Sequence, residues 1–281
     1  RALVDKYKDK MMVGEISNID LQAKYTSGDD KLHMAYSFEL LRKDFSATHI
    51  KNCLERFYEL APNGYPCWSF SNHDVMRHIS RWSDLAYSPE DFAKLTASIL
   101  LSLKGSICIY QGEELGQLET DLEFHELTDP PGIKFWPKDK GRDGCRTPMV
   151  WEGNTLLGGF SKSKPWLPIK EEQLERSVDS QIHDKESVLT HYCRLIEFRK
   201  NNKEFLEGEL IFKFFDDKSL VFTRKFDDEE TDCYFNFSKD DLEFNDINSS
   251  INLTSIKNKA KLKDKKLFLG PNGFAFLKVL T

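Results

Sequence analysis

Nearly continuous apolar segments alternate with helix-like segments in the first two thirds of the chain. The apolar run Pro66–Phe70 is followed by a helical pattern over Pro89–Leu103 and then by the apolar run Ser106–Tyr110. Ser88 can cap this helix, and Gly105 can end it. Uninterrupted apolar strands are typical of parallel sheets that helices cover on both faces. The alternation therefore predicts an α/β fold with a parallel sheet and crossover helices.

Other segments fit the same scheme. Met11–Gly14 is a short apolar run that predicts a buried strand, and His33–Leu41 is a second apolar and aromatic run. Ser46–Leu60 has helical spacing with Ser46 as its cap, and Asp184–Lys203 predicts a further helix.

Acidic residues come directly after several of the predicted strands. Glu15 and Asp74 each follow an apolar run, and Glu113 and Glu114 follow another. In parallel α/β folds, catalytic groups gather at the carboxyl ends of the strands. A single carboxylate there is as often an ordinary surface group, but two such ends, one with His73 beside the acid, favour a site. Cleavage of a glycosidic bond requires this set: one carboxyl group protonates the leaving oxygen, and others attack the sugar or stabilise an oxocarbenium-like centre.

The composition of the chain limits the classes of binding partner and the cellular compartment that are compatible with it. The 281 residues carry a net charge of −6 with both signs mixed, which argues against nucleic acid or an anionic membrane as the main partner. No apolar run approaches the length of a membrane span. The six cysteines are scattered without a Cys-x-x-Cys pair, which disfavours a zinc site and favours a reducing compartment. We therefore expect a cytoplasmic protein. The sequence points to no cofactor and no metal ligand, and it leaves metal dependence open.

Two later regions differ from the alternating pattern. Gln111–Lys170 is long, irregular and rich in Pro and Gly, and its aromatic and basic residues favour a functional loop over disorder. Beyond Glu207, short apolar segments separated by Asp, Asn, Gly and Ser predict a small antiparallel β domain. We expect the acidic segment Asp227–Glu230 and the basic segment Lys257–Lys266 to be solvated loops. The predicted domains are residues 1–206 and residues 207–281.

Four segments in register carry a family resemblance. MMVGEIS, CWSFSNHDVMR, SICIYQGEELG and GRDGCRTPMVW occur in this order. They resemble the later sequence blocks of the α-amylase family of glycoside hydrolases (family 13), and most of all its α-glucosidase and oligo-1,6-glucosidase branch. Asp129–Pro137 followed by Gly141–Met149 is similar to a segment of bacterial α-glucosidases. The resemblance implies an α/β fold comprising the second half of a (β/α)8 TIM barrel, followed by a small antiparallel β-sandwich domain.

The resemblance also implies roles for individual residues. Glu15 corresponds to the general acid/base of the family, and Asp74 to the carboxylate that holds sugar hydroxyls and stabilises the transition state. His73 corresponds to a histidine that hydrogen-bonds the same sugar. Arg142 and Arg146 correspond to positions that help to hold the substrate.

Four further residues near these motifs have less definite roles. Arg77 resembles a substrate-binding arginine close to the motif, with pairing to a carboxylate as an equal alternative. We expect Asn72 to shape the turn, and Glu113 and Glu114 to brace the loop after their strand.

The family's nucleophile is an aspartate in a motif like G-F-R-x-D, which does not occur in this sequence. The chain begins at Arg1, and RALVDKYKDK has the character of the end of a helix. We therefore expect that an N-terminal portion bearing the nucleophile is missing. On this expectation residues 1–281 alone fold poorly and are inactive.

The resemblance leaves several functions open. The first is a retaining α-glucosidase acting on short α-glucosides such as maltose or sucrose, with glucosyl transfer to another acceptor as a close variant. The second is a non-catalytic relative that serves as a sugar-binding or partner subunit. The third takes His73 and Asp74 as a metal-binding pair for phosphoester hydrolysis, which the strand-like run before them disfavours.

Overall fold

The computed structural model describes residues 1–248 and 251–279. Ser249, Ser250, Leu280 and Thr281, which belong to the predicted C-terminal β domain, lie outside the described residues. The chain divides into two compact units. The first contains residues 1–69, 95–108 and 195–281, and the second contains residues 70–94 and 109–194.

The described residues contain nine α-helices and ten strands. The helices are α1 Ile19–Thr26, α2 Ala47–Leu60, α3 His78–Arg81, α4 Pro89–Ser102, α5 Pro130–Phe135, α6 Glu171–Leu174, α7 Val178–Gln181, α8 Val188–Asn201 and α9 Lys203–Leu206. The strands are β1 Val13–Ile16, β2 Met34–Ser37, β3 Pro66–Trp68, β4 Ser106–Ile107, β5 Glu209–Phe215, β6 Ser219–Phe226, β7 Glu229–Asn236, β8 Leu242–Phe244, β9 Ile251–Lys263 and β10 Lys266–Val279.

In the first unit, four strands form a parallel sheet in the order β1-β2-β3-β4. This arrangement confirms the parallel α/β fold predicted from the alternating segments. The prediction for β1 was wrong in two details, because the strand includes Glu15 and its residues are exposed or half-buried. Within the described residues β1 pairs on one side only, with β2, which leaves it at the edge of the sheet.

Hydroxyl groups cap the main helices, as the sequence predicts. Ser46 Oγ accepts the backbone N–H of His49 at 3.2 Å at the start of α2, and Ser88 Oγ accepts that of Asp91 at 3.1 Å at the start of α4. The helix predicted from Asp184 begins later, at Val188, because Ser187 Oγ accepts the backbone N–H of Thr190. The side chain that satisfies the free N–H groups therefore sets where each helix begins.

The antiparallel strands of the first unit form one hydrogen-bonded sheet in the order β5-β6-β7-β10-β8, with β9 also paired to β10. The antiparallel β domain is confirmed, and its strands belong to a single sheet. The early residues of β10 pair with β8, and its later residues pair with β7. The core of the domain contains Ile247, Leu267, Leu269, Ala275 and Leu277.

The basic segment Lys257–Lys266 was wrongly predicted to be a loop. Most of it lies in β9, where exposed lysines alternate with more buried residues such as Ile256, Ala260 and Leu262. This alternation is the pattern of a strand with one face in water. The acidic segment is a turn only in its first half, since β7 begins at Glu229.

Two arginines of the first unit satisfy the carbonyl groups at the end of α4. Arg199 in α8 donates to the carbonyl oxygens of Leu101, Leu103 and Gly105. Arg224 in β6 donates to the carbonyl oxygen of Ser102 at 2.7 Å. The last carbonyls of a helix have no partner within it, and cations are favoured there. The antiparallel sheet thereby completes a helix of the α/β part.

No helix within residues 1–248 and 251–279 is both long and apolar enough to cross a lipid bilayer.

Candidate active site

Asp74 lies in a turn of the second unit that an asparagine shapes. Asn72 is buried, and its side-chain oxygen accepts the backbone N–H of Asp74 at 2.9 Å. A bond of this kind, from an asparagine to the residue two positions on, is typical of an Asx turn. It presents His73, which is 63% exposed, beside a half-buried Asp74. The role expected for Asn72 agrees with this contact.

Two guanidinium groups hold one oxygen of Asp74. Arg142 Nη1 and Arg146 Nη2 each donate to Asp74 Oδ1 at 3.0 Å. Arg146 Nε also donates to the carbonyl oxygen of His73 at 2.7 Å. Asp74 Oδ2 accepts no hydrogen bond from the described residues, and His73 Nε2 lies 3.6 Å from it. One carboxylate oxygen is therefore fixed, and the other is open to the hydroxyl group of a ligand.

Arg142 is held in turn by a second aspartate. Its Nε and Nη2 donate to the two oxygens of Asp129 at 3.0 and 2.8 Å, and its backbone N–H donates to Asp129 Oδ2 at 2.8 Å. The Asp129 side chain is 1% exposed, and its bonds to Arg142 hold the pKa of Asp129 below its usual value. Asp143, which is fully buried, accepts the backbone N–H groups of Thr128 and Asp129.

Arg77 lies apart from this cluster, in the interior of the second unit. It is 2% exposed, and its Nη1 donates to the carbonyl oxygen of Gln111 at 2.7 Å. Its guanidinium carbon lies 5.3 Å from the centre of the Tyr110 ring. Its backbone N–H donates to Glu119 Oε2 at 2.8 Å. In the described residues Arg77 thus bonds to Gln111 and Glu119 and not to Asp74.

Glu119 is an unusual carboxyl group that sequence reasoning missed. It lines a cleft of about 320 Å³ with Lys170 and Gln173. Burial raises the pKa of Glu119 from 4.5 to about 7, against the opposing effects of the Arg77 backbone bond and the charges of Arg77 and Arg81. Nothing in the local sequence marks it, because its burial depends on residues that the fold brings from elsewhere.

The raised pKa of Glu119 predicts a pH-dependent stability. Between pH 4.5 and about 7 the folded state binds a proton that the unfolded state has lost, so this group makes folding less favourable as the pH rises. Glu119→Gln removes the titration and keeps an oxygen for the Arg77 backbone bond. We expect the variant to be more stable than the parent at pH 8 and to lose this advantage by pH 5, measured by urea unfolding at both values. Replacing the exposed Glu172 by Gln is the control and should not show this dependence on pH. If the stability of Glu119→Gln differs from that of the parent by the same amount at pH 8 and pH 5, the prediction is wrong.

The two carboxylates after β4 lie in the second unit with separate contacts. Glu113 is 2% exposed and lies 3.5 Å from His78 Nδ1, which is equally buried. Burial lowers the pKa of His78. Glu114 Oε2 accepts the backbone N–H of Gly112 at 2.8 Å. The Glu114 bond agrees with the bracing role expected for that residue, whereas the role of Glu113 stays a prediction.

Glu15 belongs to the first unit, where it lies in β1 in register with Tyr36 of β2. Its side chain is exposed. A side chain at the preceding Gly14 would meet Leu32 Cδ1 at 2.3 Å, so glycine makes room for Leu32.

Comparison with known proteins identifies the family. The sequence profile of the α-amylase catalytic domain matches residues 1–208. The chain is 46% identical over 243 residues to a Rhizobium meliloti protein named "probable alpha-glucosidase", covering 85% of this chain and 44% of that one. The chain belongs to the α-amylase family. It is also 33% identical over 282 residues to an oligo-1,6-glucosidase of Heyndrickxia coagulans, covering 87% of this chain and 50% of the relative.

A solved structure of another enzyme has the same fold. The crystal structure of an α-glucosyl transfer enzyme superposes with a TM-score of 0.91 at 36% identity, covering 99% of this chain and 52% of the other. The parallel α/β portion is thus part of the family's TIM barrel, and the antiparallel β domain follows it. The chain spans about half the length of the relatives that it matches. The predicted domain boundary at 206/207 stays a prediction.

The structure brings together four of the six residues predicted for an α-amylase family site. His73, Asp74, Arg142 and Arg146 form one hydrogen-bonded cluster in the second unit. Within the described residues, no group of three or more His, Cys, Asp or Glu side chains is arranged to hold a metal ion.

Proposed function

We propose that the complete gene product, including any sequence that precedes Arg1, is a retaining α-glucosidase that acts on short α-glucosides such as maltose or sucrose. The observation that carries the proposal is the state of Asp74. Two arginines hold its Oδ1, and its Oδ2 accepts no hydrogen bond from the described residues. A carboxylate fixed in this way can hold sugar hydroxyls and counter the positive charge of an oxocarbenium-like transition state.

Glu15 is the general acid/base in this proposal. As an acid it protonates the glycosidic oxygen while a carboxylate nucleophile forms a covalent bond to the sugar. As a base it then takes a proton from the water that releases the glucose. The family's nucleophile motif does not occur in residues 1–281, so this proposal assigns the nucleophile to none of them. The support for Glu15 is its place in β1, within the MMVGEIS block.

The substrate-binding residues of the proposal divide into two groups. His73, Arg142 and Arg146 bind the sugar beside Asp74, and their shared contacts support that assignment. Arg77 is assigned to substrate binding by resemblance. Its buried contacts with Gln111 and Tyr110 favour a bracing contribution instead.

Transfer to another acceptor is part of the same proposal, since any hydroxyl group can capture a covalently bound glucose. The likeness to an α-glucosyl transfer enzyme at 36% identity supports this branch. The identity to a protein named "probable alpha-glucosidase" supports the hydrolytic branch.

The test uses the complete gene product with maltose, sucrose and a chromogenic α-glucoside. With sucrose or the chromogenic α-glucoside, whose leaving group is not glucose, we expect glucose to be released first as the α-anomer, detected by proton NMR within the first minutes of reaction. Added glycerol should yield a glucosyl-glycerol if transfer competes with water. Binding of these sugars without turnover would instead support a non-catalytic relative, and initial release of the β-anomer would contradict a retaining mechanism.

A further inference from the structure

We infer that Asp129 is a positioning residue that makes Arg142 give a single hydrogen bond to Asp74, so that Asp74 Oδ2 is kept for the sugar. This inference rests on the proposed function, because it assigns a partner to the carboxylate that the proposal uses. Asp129 begins a segment that resembles bacterial α-glucosidases, but the resemblance gave Asp129 no role.

The contacts of Arg142 divide its guanidinium group into two parts. The edge made of Nε and Nη2 faces both oxygens of Asp129, at 3.0 and 2.8 Å. Nη1 is left to donate to Asp74 Oδ1 at 3.0 Å. A guanidinium group prefers to bind a carboxylate through two parallel N–H groups. Because Asp129 takes that two-fold contact, Asp74 receives only one N–H.

Asp129 is itself held rigidly. Its side chain is 1% exposed, and its backbone N–H is bound by Asp143, which is fully buried. Gly141 has a φ of +70°, and a side chain there would lie 2.7 Å from Asp129 Oδ2. The absence of a side chain at Gly141 therefore makes room for the Asp129 carboxylate. Asp129 is fixed by burial and by its bonds, whereas Arg142 is 41% exposed and has room to turn.

Loss of Asp129 would change what Arg142 does to Asp74. Without a carboxylate on its other edge, the guanidinium group can turn its two-fold contact onto Asp74. That contact would occupy Oδ2, and a sugar hydroxyl would have to displace it. Asp74 would remain in place, but its Oδ2 would be bound to Arg142 and not to the sugar, which lowers turnover.

The first test is kinetic and uses Asp129→Asn in the complete gene product. We expect kcat/KM on a chromogenic α-glucoside to fall on the order of 10- to 100-fold, as for a misplaced catalytic group. Asp121→Asn is the matched control, since Asp121 is an exposed aspartate of the same long loop that bonds to Lys140; it should leave the rate unchanged.

A double-mutant cycle separates positioning from a general structural role. If Asp129 acts through Arg142, the loss caused by Asp129→Asn should largely vanish in an Arg142→Met background. Equal losses in both backgrounds would overturn the inference. Asp129→Glu keeps the charge and should recover part of the rate that Asp129→Asn loses.

A crystal structure of the Asp129→Asn variant gives a readout that does not need activity. We expect Arg142 to contact both oxygens of Asp74. An Arg142 that still gives Asp74 a single hydrogen bond would overturn the inference even if the enzyme hydrolyses α-glucosides. A wild-type protein that turns over no α-glucoside would instead overturn the proposed function. The crystal structure of Asp129→Asn would still test whether Asp129 controls the contact between Arg142 and Asp74.

Discussion

Replacing Glu15 by Gln should lower hydrolysis of an α-glucoside by at least about a hundredfold in the complete gene product. Gln has nearly the shape of Glu but holds no transferable proton, so the departing sugar oxygen would leave without protonation. The effect should fall mainly on kcat, because the proton moves only in the transition state. Steady-state kinetics on natural disaccharides measures it directly.

The leaving group offers a further check on Glu15. A substrate with an acidic leaving group, such as a nitrophenol, needs little protonation and should lose less rate in Glu15→Gln than maltose does. Glu59→Gln, an exposed glutamate of α2, is the matched control and should keep the full rate. Near-normal turnover of maltose by Glu15→Gln would remove Glu15 from its proposed role.

The second large effect concerns stability. Arg224→Leu should lower the free energy of unfolding by about 3 kcal/mol or more, since it leaves buried carbonyl groups without donors. Arg224 is fully buried and donates to the carbonyl oxygens of Ser102, Phe205, Gly208 and Glu209. Burial, and then the nearby Arg199, lower the pKa of Arg224 to about 10, so the group is still charged at neutral pH.

Urea unfolding of the complete gene product measures the loss. Arg224→Lys keeps the charge but has one nitrogen in place of three, so it should lie between Leu and the parent. Lys225→Leu changes the neighbouring exposed residue of the same strand, whose partner is Glu230, and should have little effect. If Arg224→Leu and Lys225→Leu unfold at the same urea concentration, the buried hydrogen bonds of Arg224 do not contribute the expected stability.

The sequence predicted the fold well where local chemistry fixes the structure. The capping serines of α2 and α4 and the apolar runs of the parallel sheet are readable because each signal lies within the element that it defines. The strand β9 was missed because its lysines suggested a solvated loop, although Ile256, Ala260 and Leu262 alternate with them. The number of lysines in this segment drew attention away from the alternation of polar and apolar residues that is typical of a strand.

Only part of the site could be predicted, because some of its residues owe their properties to contacts and not to a local motif. Asp74 and Arg142 stand in recognisable motifs, and the structure joins them across 68 positions of the chain. Asp129 and Glu119 owe their properties to what surrounds them: a bound guanidinium group in one case and burial in the other. Such properties arise from contacts between distant segments, which no spacing along the sequence records.

The bond from Arg224 to Ser102 has a consequence for the order of events during synthesis. The two residues lie 122 positions apart. A ribosome that adds about 5–20 residues per second needs on the order of 10 s to make the intervening chain. Until Arg224 has been made, the Ser102 carbonyl lacks this donor, so the C-terminal end of α4 reaches its final hydrogen bonding only after β6 has been translated.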